Sequence, residues 1–96
     1  MTIYKLLFLP SARKEWDKLG ATTRSQFSKQ LARRIVEPHV ISSRLRSMDG
    51  CYKIKLRDAG YRLVYQVEDD RLIVTVVAVG KRERGTVYDD AFARLN

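Results

Sequence analysis

Three cations fall at alternating positions on what reads as one β-hairpin: Lys53, Lys55 and, on the returning strand, Arg62. A second cluster, Lys81-Arg82-Glu83-Arg84, follows the last apolar run, and Tyr88 comes shortly after it. Lysine and arginine side chains aligned on one strand face attract anions, and phosphate suits such a spread of donors. Other chemistries find little support. Cys51 is the only cysteine and His39 the only histidine. That excludes an internal disulfide and a thiolate zinc cluster, and makes any transition-metal site improbable. Neither a metal nor a cofactor is expected. On pattern alone an alternating lysine strand is often a solvated face, so the return of Arg62 to that face is the sharper signal.

The elements that must carry these side chains follow from apolar periodicity. Tyr52 to Arg57 alternates, with Tyr52, Ile54 and Leu56 on one side and Lys53, Lys55 and Arg57 on the other. Asp58-Ala59-Gly60 is a turn signal, and Tyr61, Leu63, Tyr65 and Val67 share a face of the returning strand. Matching apolar faces pairs Leu56 with Tyr61 and Ile54 with Leu63, which sets Lys55 beside Arg62 and Lys53 beside Val64. A bulge at Gly60 would shift that register by one residue.

Upstream, Ile3 to Leu9 reads as a strand ended by Pro10. Ser11 would cap a helix with Ala12, Trp16 and Leu19 on its core side, stopped by Gly20. Thr22 or Thr23 would open a second helix with Phe27, Leu31 and Ile35 inward. Residues 37–50 show no regular pattern. Leu72 to Val79 is apolar on both faces, as in a strand covered on both sides, and Val87, Ala91 and Leu95 mark a C-terminal helix. The order β-α-α-β-β-β-α predicts an α+β fold, with helices packed on a largely antiparallel sheet, in one domain spanning 1–96.

The chain has 96 residues, a formal charge of +8 and 45% hydrophobic residues. Disorder is excluded by the hydrophobic content, and the charge favours a polyanionic partner. The N-terminal apolar run is too short and lacks the basic leader of a signal peptide, and no stretch approaches a membrane span of roughly 20 residues. A cytoplasmic protein without a membrane partner is expected.

Cys51-Tyr52-Lys53-Ile54-Lys55-Leu56-Arg57, running into Gly60-Tyr61-Arg62-Leu63-Val64-Tyr65-Gln66-Val67, resembles the RelE family of toxins from bacterial type II toxin–antitoxin modules. Val79-Gly80-Lys81-Arg82-Glu83-Arg84 with Val87-Tyr88 is nearly as specific, and Lys14-Glu15-Trp16, Leu19-Gly20 and Leu45-Arg46 also fit. The resemblance covers essentially the whole chain and is that of a close member. It implies a small α+β domain with two N-terminal helices and one C-terminal helix. It also implies a ribosome-dependent endoribonuclease that cuts the mRNA codon in the ribosomal A site and so stops translation. Matched position by position, the family's catalytic set falls on Lys53, Lys55, Arg62, Arg82 and Tyr88, with Arg46 and Lys81 as supporting RNA-binding positions. Arg13 and Lys14, on the outer side of the first helix, are read as contacts to ribosomal RNA.

RNA supplies its own nucleophile, the 2′-hydroxyl beside the scissile phosphate. The enzyme must take that proton, stabilise charge on phosphorus and protonate the leaving 5′-oxygen. Lysine is a poor base at its ordinary pKa of about 10.4. Crowding among Lys53, Arg62 and Arg82 should lower that value for Lys55, the expected proton acceptor. Arg62 would hold the non-bridging oxygens through its planar fork, and Arg82 would support the leaving group. Tyr88 would stack on a base or orient the 2′-hydroxyl. His39 and Cys51 read as structural or incidental. Tyr52, Tyr61 and Tyr65 read as packing.

The expected partners are a RelB-like antitoxin, the 70S ribosome with its 16S rRNA, and mRNA; operator DNA would be met only through the antitoxin. Two rival functions remain: a ParE-like gyrase-poisoning toxin of the same fold, and a non-catalytic nucleic-acid-binding co-repressor.

Overall fold

The computed structural model describes residues 2–83 and 85–95; Arg84, the last cation of the second cluster, lies outside the described residues. The chain runs β1 (Lys5–Phe8), α1 (Pro10–Asp17), α2 (Ala21–Arg34), a 3₁₀ turn at Ile41–Ser43, β2 (Cys51–Leu56), β3 (Tyr61–Glu68), β4 (Ile73–Lys81) and α3 (Thr86–Leu95). The fold is α+β in the expected order. Across the sheet the strands lie β1-β4-β3-β2, with β2–β3 and β3–β4 antiparallel and β1–β4 parallel.

The β2–β3 register is the one its apolar pattern dictates: Leu56 faces Tyr61, Lys55 faces Arg62, Ile54 faces Leu63 and Lys53 faces Val64. Gly60 closes the turn with φ 71°, and its N–H donates to the Leu56 carbonyl at 2.9 Å. No register shift occurs there. The irregularity lies one strand over, where Val64 pairs with Ala78 but Tyr65 pairs with Val76, leaving Val77 as an extra residue in β4.

That extra residue decides which way the end of β4 faces. Val74, Val76 and Val79 join one core, with Trp16, Phe27 and Leu31 of α1 and α2 against Ile54, Leu63 and Tyr65. Val77 and Ala78 both join a second core on the other side, with Cys51, Val64 and Met48 against Val87 and Ala91 of α3. The sheet is therefore covered on both faces, which accounts for the unbroken apolar run of β4.

Three local expectations are corrected. Helix α1 begins at Pro10, not beyond a Ser11 cap: Leu9 is the N-cap, without a side-chain bond, and Pro10 occupies the first turn, where a missing N–H costs nothing. Gly20 does not stop α1; it has φ −63° and is the N-cap of α2, which opens at Ala21 ahead of both threonines. The first strand contracts from the expected 3–9 to Lys5–Phe8. In the irregular 37–50 segment, Arg44 bridges to Tyr52 and the Leu45 N–H donates to the Cys51 carbonyl at 2.9 Å, so this segment covers the upper outer edge of β2.

Candidate active site

Lys55, Arg62 and Gly80 form one row across three strands, since Lys55 faces Arg62 and Arg62 faces Gly80. The bulge at Val77 brings Gly80 to this face. A Cβ there would stand 3.1 Å from Val87 Cγ2 of α3, so glycine lets the helix approach the row closely. The chain then leaves β4, and the Arg82 N–H donates to the Gly60 carbonyl at 2.7 Å. That bond ties the start of the second cationic cluster to the hairpin turn. Lys55 and Arg82, distant in sequence, thereby meet in one depression of about 220 Å³, lined by Lys55, Arg57, Arg62 and Arg82 with Leu56, Gly60 and Tyr61.

Electrostatics inside this cluster follow from its composition. The Lys55 ammonium has a lowered pKa because of repulsion first from Lys53 and then from Arg62, with a smaller push from Arg57. The crowding expected around this lysine is present, although Arg57, not Arg82, is the third cation acting on it. Among the described residues none of Lys53, Lys55, Arg57, Arg62 and Arg82 has a carboxylate within ion-pair distance. The cluster can therefore do two things: bind a phosphodiester through unpartnered cations, and present an amine whose proton is loosened by its neighbours.

The remaining site candidates lie at different distances from this depression. Lys53 is half-buried and lines an adjoining depression with Lys55. Its carbonyl accepts from Arg34 Nη1 at 3.3 Å, while the same nitrogen donates to the Tyr65 hydroxyl at 2.9 Å and Arg34 Nη2 donates to Ser43 Oγ at 3.4 Å. Tyr65 in turn donates to the Pro38 carbonyl at 2.7 Å. Tyr88 sits in the first turn of α3 and packs against the second core, on the sheet face that carries the row; it does not line the depression. Lys81 ends β4 opposite Tyr61 and does not line the depression either. Arg46 is exposed in the turn before β2. Arg13 and Lys14 are exposed on α1, where Arg13 pairs with Asp17 at 3.2 Å and stands over the Phe8 ring.

Cys51 and His39 do not line the depression. Burial pushes the Cys51 thiol up to about 11, with Asp49 adding to it, so it stays protonated and unreactive. His39 is engaged by Asp69 at 2.8 Å, and Tyr4 donates to the same carboxylate at 2.7 Å. Among the described residues no group of three or more His, Cys, Asp or Glu is placed to hold a metal ion. From sequence, Arg57 was placed on the cationic face without a site role, and Arg34 was passed over. The first was legible as the next cation in the hairpin alternation; the second gave no signal, because its partners Ser43, Lys53 and Tyr65 are distant in sequence.

Comparison with known proteins decides the family. A model described as the ParE toxin of the type II toxin–antitoxin system matches residues 6–85. The mRNA interferase toxin RelE of Escherichia coli strain K12 is 51% identical over 92 residues, which is 96% of this chain and 97% of that protein. The chain belongs to the RelE toxin family. Among solved RelE structures, a free-state E. coli RelE carrying two arginine-to-alanine changes matches with TM-score 0.91 at 47% identity, covering 99% of this chain and all of that one. The toxin in the intact E. coli RelBE toxin–antitoxin complex matches with TM-score 0.82 at 52% identity, covering 84% of this chain and 99% of that one.

Proposed function

We propose that this chain is the toxin of a type II toxin–antitoxin module, an endoribonuclease that cleaves mRNA in the ribosomal A site. The observation that carries the reading is its 51% identity, over nearly the whole chain, to an mRNA interferase toxin. The cationic depression supplies the chemistry. Neutral Lys55 takes the proton of the 2′-hydroxyl, with Lys53 assisting through charge. Bond formation between the 2′-oxygen and phosphorus puts negative charge on the non-bridging oxygens, which Arg62 holds through its fork. The bond to the 5′-oxygen breaks as that oxygen takes a proton from solvent beside the exposed Arg82, whose charge supports the leaving group. Tyr88 stacks on a base or orients the 2′-hydroxyl at the margin. The products are a 2′,3′-cyclic phosphate, or its 3′-phosphate, and a 5′-hydroxyl.

A lysine base and arginine electrophiles make a slow catalyst unless the RNA is held in line. Positioning by the ribosome supplies the missing part, on the order of 7–11 kcal/mol in the best intramolecular cases. A site of unpartnered cations repels a divalent metal, so the reaction is metal-independent. The E. coli relative is solved with its antitoxin as RelBE, and a RelB-like antitoxin is the partner of this chain. Its place is the cytoplasm, with the ribosomes; no described helix is long and apolar enough to cross a membrane.

The ParE description of the family model favours a second reading, gyrase poisoning. The RelE identity and the complete Lys53, Lys55, Arg62, Arg82 and Tyr88 set weigh against it. The test is to map mRNA 5′-ends on programmed ribosomes with the wild-type chain, Lys55→Ala and Arg82→Ala. The wild type should cut inside the A-site codon, and Lys55→Ala should lose about 10²-fold or more in rate. Intact mRNA, with DNA damage preceding translational arrest in cells, would replace this reading with the gyrase one.

A further inference from the structure

Lys55 and Arg57 line two further depressions besides the one described above. One, of about 330 Å³, opens over the edge of β2 onto α2, where Gln26, Lys29, Gln30 and Arg33 face Lys55 and Arg57. These four helix residues stand at i, i+3, i+4 and i+7, so they form one stripe beside the core stripe of Phe27 and Leu31. The other, of about 390 Å³, joins Gln30 and Arg34 to Ser42 and Ser43 and to Lys53 and Lys55. The three depressions share side chains and so form a continuous basic path from Arg82, around the free edge of β2, to the polar face of α2.

The lining specifies the ligand's chemistry. Lys29, Arg33 and Arg57 are exposed and have no carboxylate within ion-pair distance among the described residues. Asp58 is the one acidic side chain lining either groove. Between the cations stand amides and hydroxyls, which donate to phosphate and ribose oxygens. No aromatic residue lines either groove, so there is no platform on which bases would stack. A site of this kind follows a sugar–phosphate backbone without reading sequence.

We infer that the face of α2 and the edge of β2 form a phosphodiester-binding groove, which holds the RNA backbone adjoining the scissile phosphate. The inference rests on the reading that the phosphate at Lys55, Arg62 and Arg82 belongs to RNA. The occupant is the mRNA beyond the cut, because the groove shares Lys55 and Arg57 with the depression that takes the scissile phosphate; a neighbouring segment of ribosomal RNA is the alternative that the test separates.

The test uses Lys29→Gln/Arg33→Gln in the full chain. On ribosomes programmed with mRNA extending past the A-site codon, KM for the ribosome should rise on the order of tenfold, with the loss in KM more than in kcat. If the rise disappears on mRNA that ends at the A-site codon, the groove holds mRNA; a rise that persists there assigns the groove to ribosomal RNA and overturns the mRNA assignment. Equal KM for the wild type and the double variant on both templates overturns the inference. A second measurement needs no cleavage: titration of a fluorescent 2′-O-methyl RNA oligonucleotide at several salt concentrations. The double variant should lose about 1.4 from the log–log salt slope, at roughly 0.7 per phosphate contact. An unchanged slope, or no binding by the wild type at low salt, overturns it. A wild type that binds the oligonucleotide but leaves A-site mRNA intact fails the nuclease reading alone.

Discussion

In the proposed reaction Lys55 is the base, and an amine acts as a base only in its neutral form. Repulsion from Lys53 is the largest cause of its lowered pKa, followed by Arg62. The neutral fraction rises as pH climbs through that pKa, so single-turnover cleavage should rise with pH and level off earlier than an ordinary lysine would allow. Lys53→Gln removes the largest cause, which raises the Lys55 pKa and moves the rising limb to higher pH. Lys53→Arg keeps the charge and should keep the profile. Because Lys55 is exposed, added salt should move the limb in the same direction as Lys53→Gln. Identical profiles for wild type and Lys53→Gln would mean that another group titrates. Lys53, Lys55 and Arg62 were legible in sequence, since strand alternation and one turn fix which side chains share a face. Arg57 shares that alternation, but how far its charge reaches towards Lys55 is not a matter of alternation.

At the scale of elements, β4 outruns its neighbour. Strand β1 pairs with it only as far as Val76, so the Val77 carbonyl and the Val79 N–H lie beyond the parallel ladder. Two side chains supply what a longer strand would have. Arg94 of α3 donates to the Val77 carbonyl at 2.8 Å, and the Glu15 carboxylate of α1 accepts from the Val79 N–H at 3.1 Å. The two then pair with each other at 2.8 and 3.0 Å. Burial pulls the Glu15 pKa up, but the bonds from Arg94 and Val79 outweigh it and leave it below 4.5. A carboxyl depressed in the folded state contributes stability that is present above its unfolded pKa and lost as pH falls through the folded value. Glu15→Ala should therefore cost about 1–3 kcal/mol at neutral pH by stranding its partners. At roughly 4–8 °C per kcal/mol for a domain of this size, a thermal melt resolves that loss. The gap between wild type and variant should narrow as pH falls below the unfolded glutamate value of about 4.3 and on through the depressed folded one, where the wild type also loses the charge. A gap that stays constant into acid would assign the loss to packing. No local pattern announces this pair, whose members stand 79 positions apart. The same holds for the Val77 bulge, a β-branched residue among β-branched residues whose register is set by packing on both sides. Pro10 and Gly20 were misread for a different reason: each fits both the end of one element and the start of the next. The hairpin was readable because its pairing is local.

Over the whole molecule, most of the described cations stand outside any ion pair. The four ion pairs among the described residues use Arg13, His39, Arg71 and Arg94. The cations of the hairpin and of the polar face of α2 are left without carboxylates, within a chain of net charge +8 and a radius of gyration of 12.3 Å. At low ionic strength a screening length of about 30 Å lets these charges repel one another across the entire fold, whereas at about 0.15 M it is about 8 Å and repulsion becomes local. Self-repulsion opposes the compact state, so the free protein should melt at higher temperature as sodium chloride rises from about 0.01 to about 0.15 M. Binding to RNA should change in the opposite sense over the same range, because salt diminishes the gain from counterion release. A polyanion that binds only the folded state should reproduce the stabilisation at low salt, adding about 2.7 kcal/mol at a hundred times its Kd. Melting curves across that salt range, with and without an uncleavable 2′-O-methyl RNA, test the pair of trends together. A melting temperature indifferent to salt, or one that RNA fails to raise, would mean that the cations are already compensated within the fold. The basic face would then be a solubility device, and the opposite signs of the two trends are what separate that outcome from a surface kept open for phosphate.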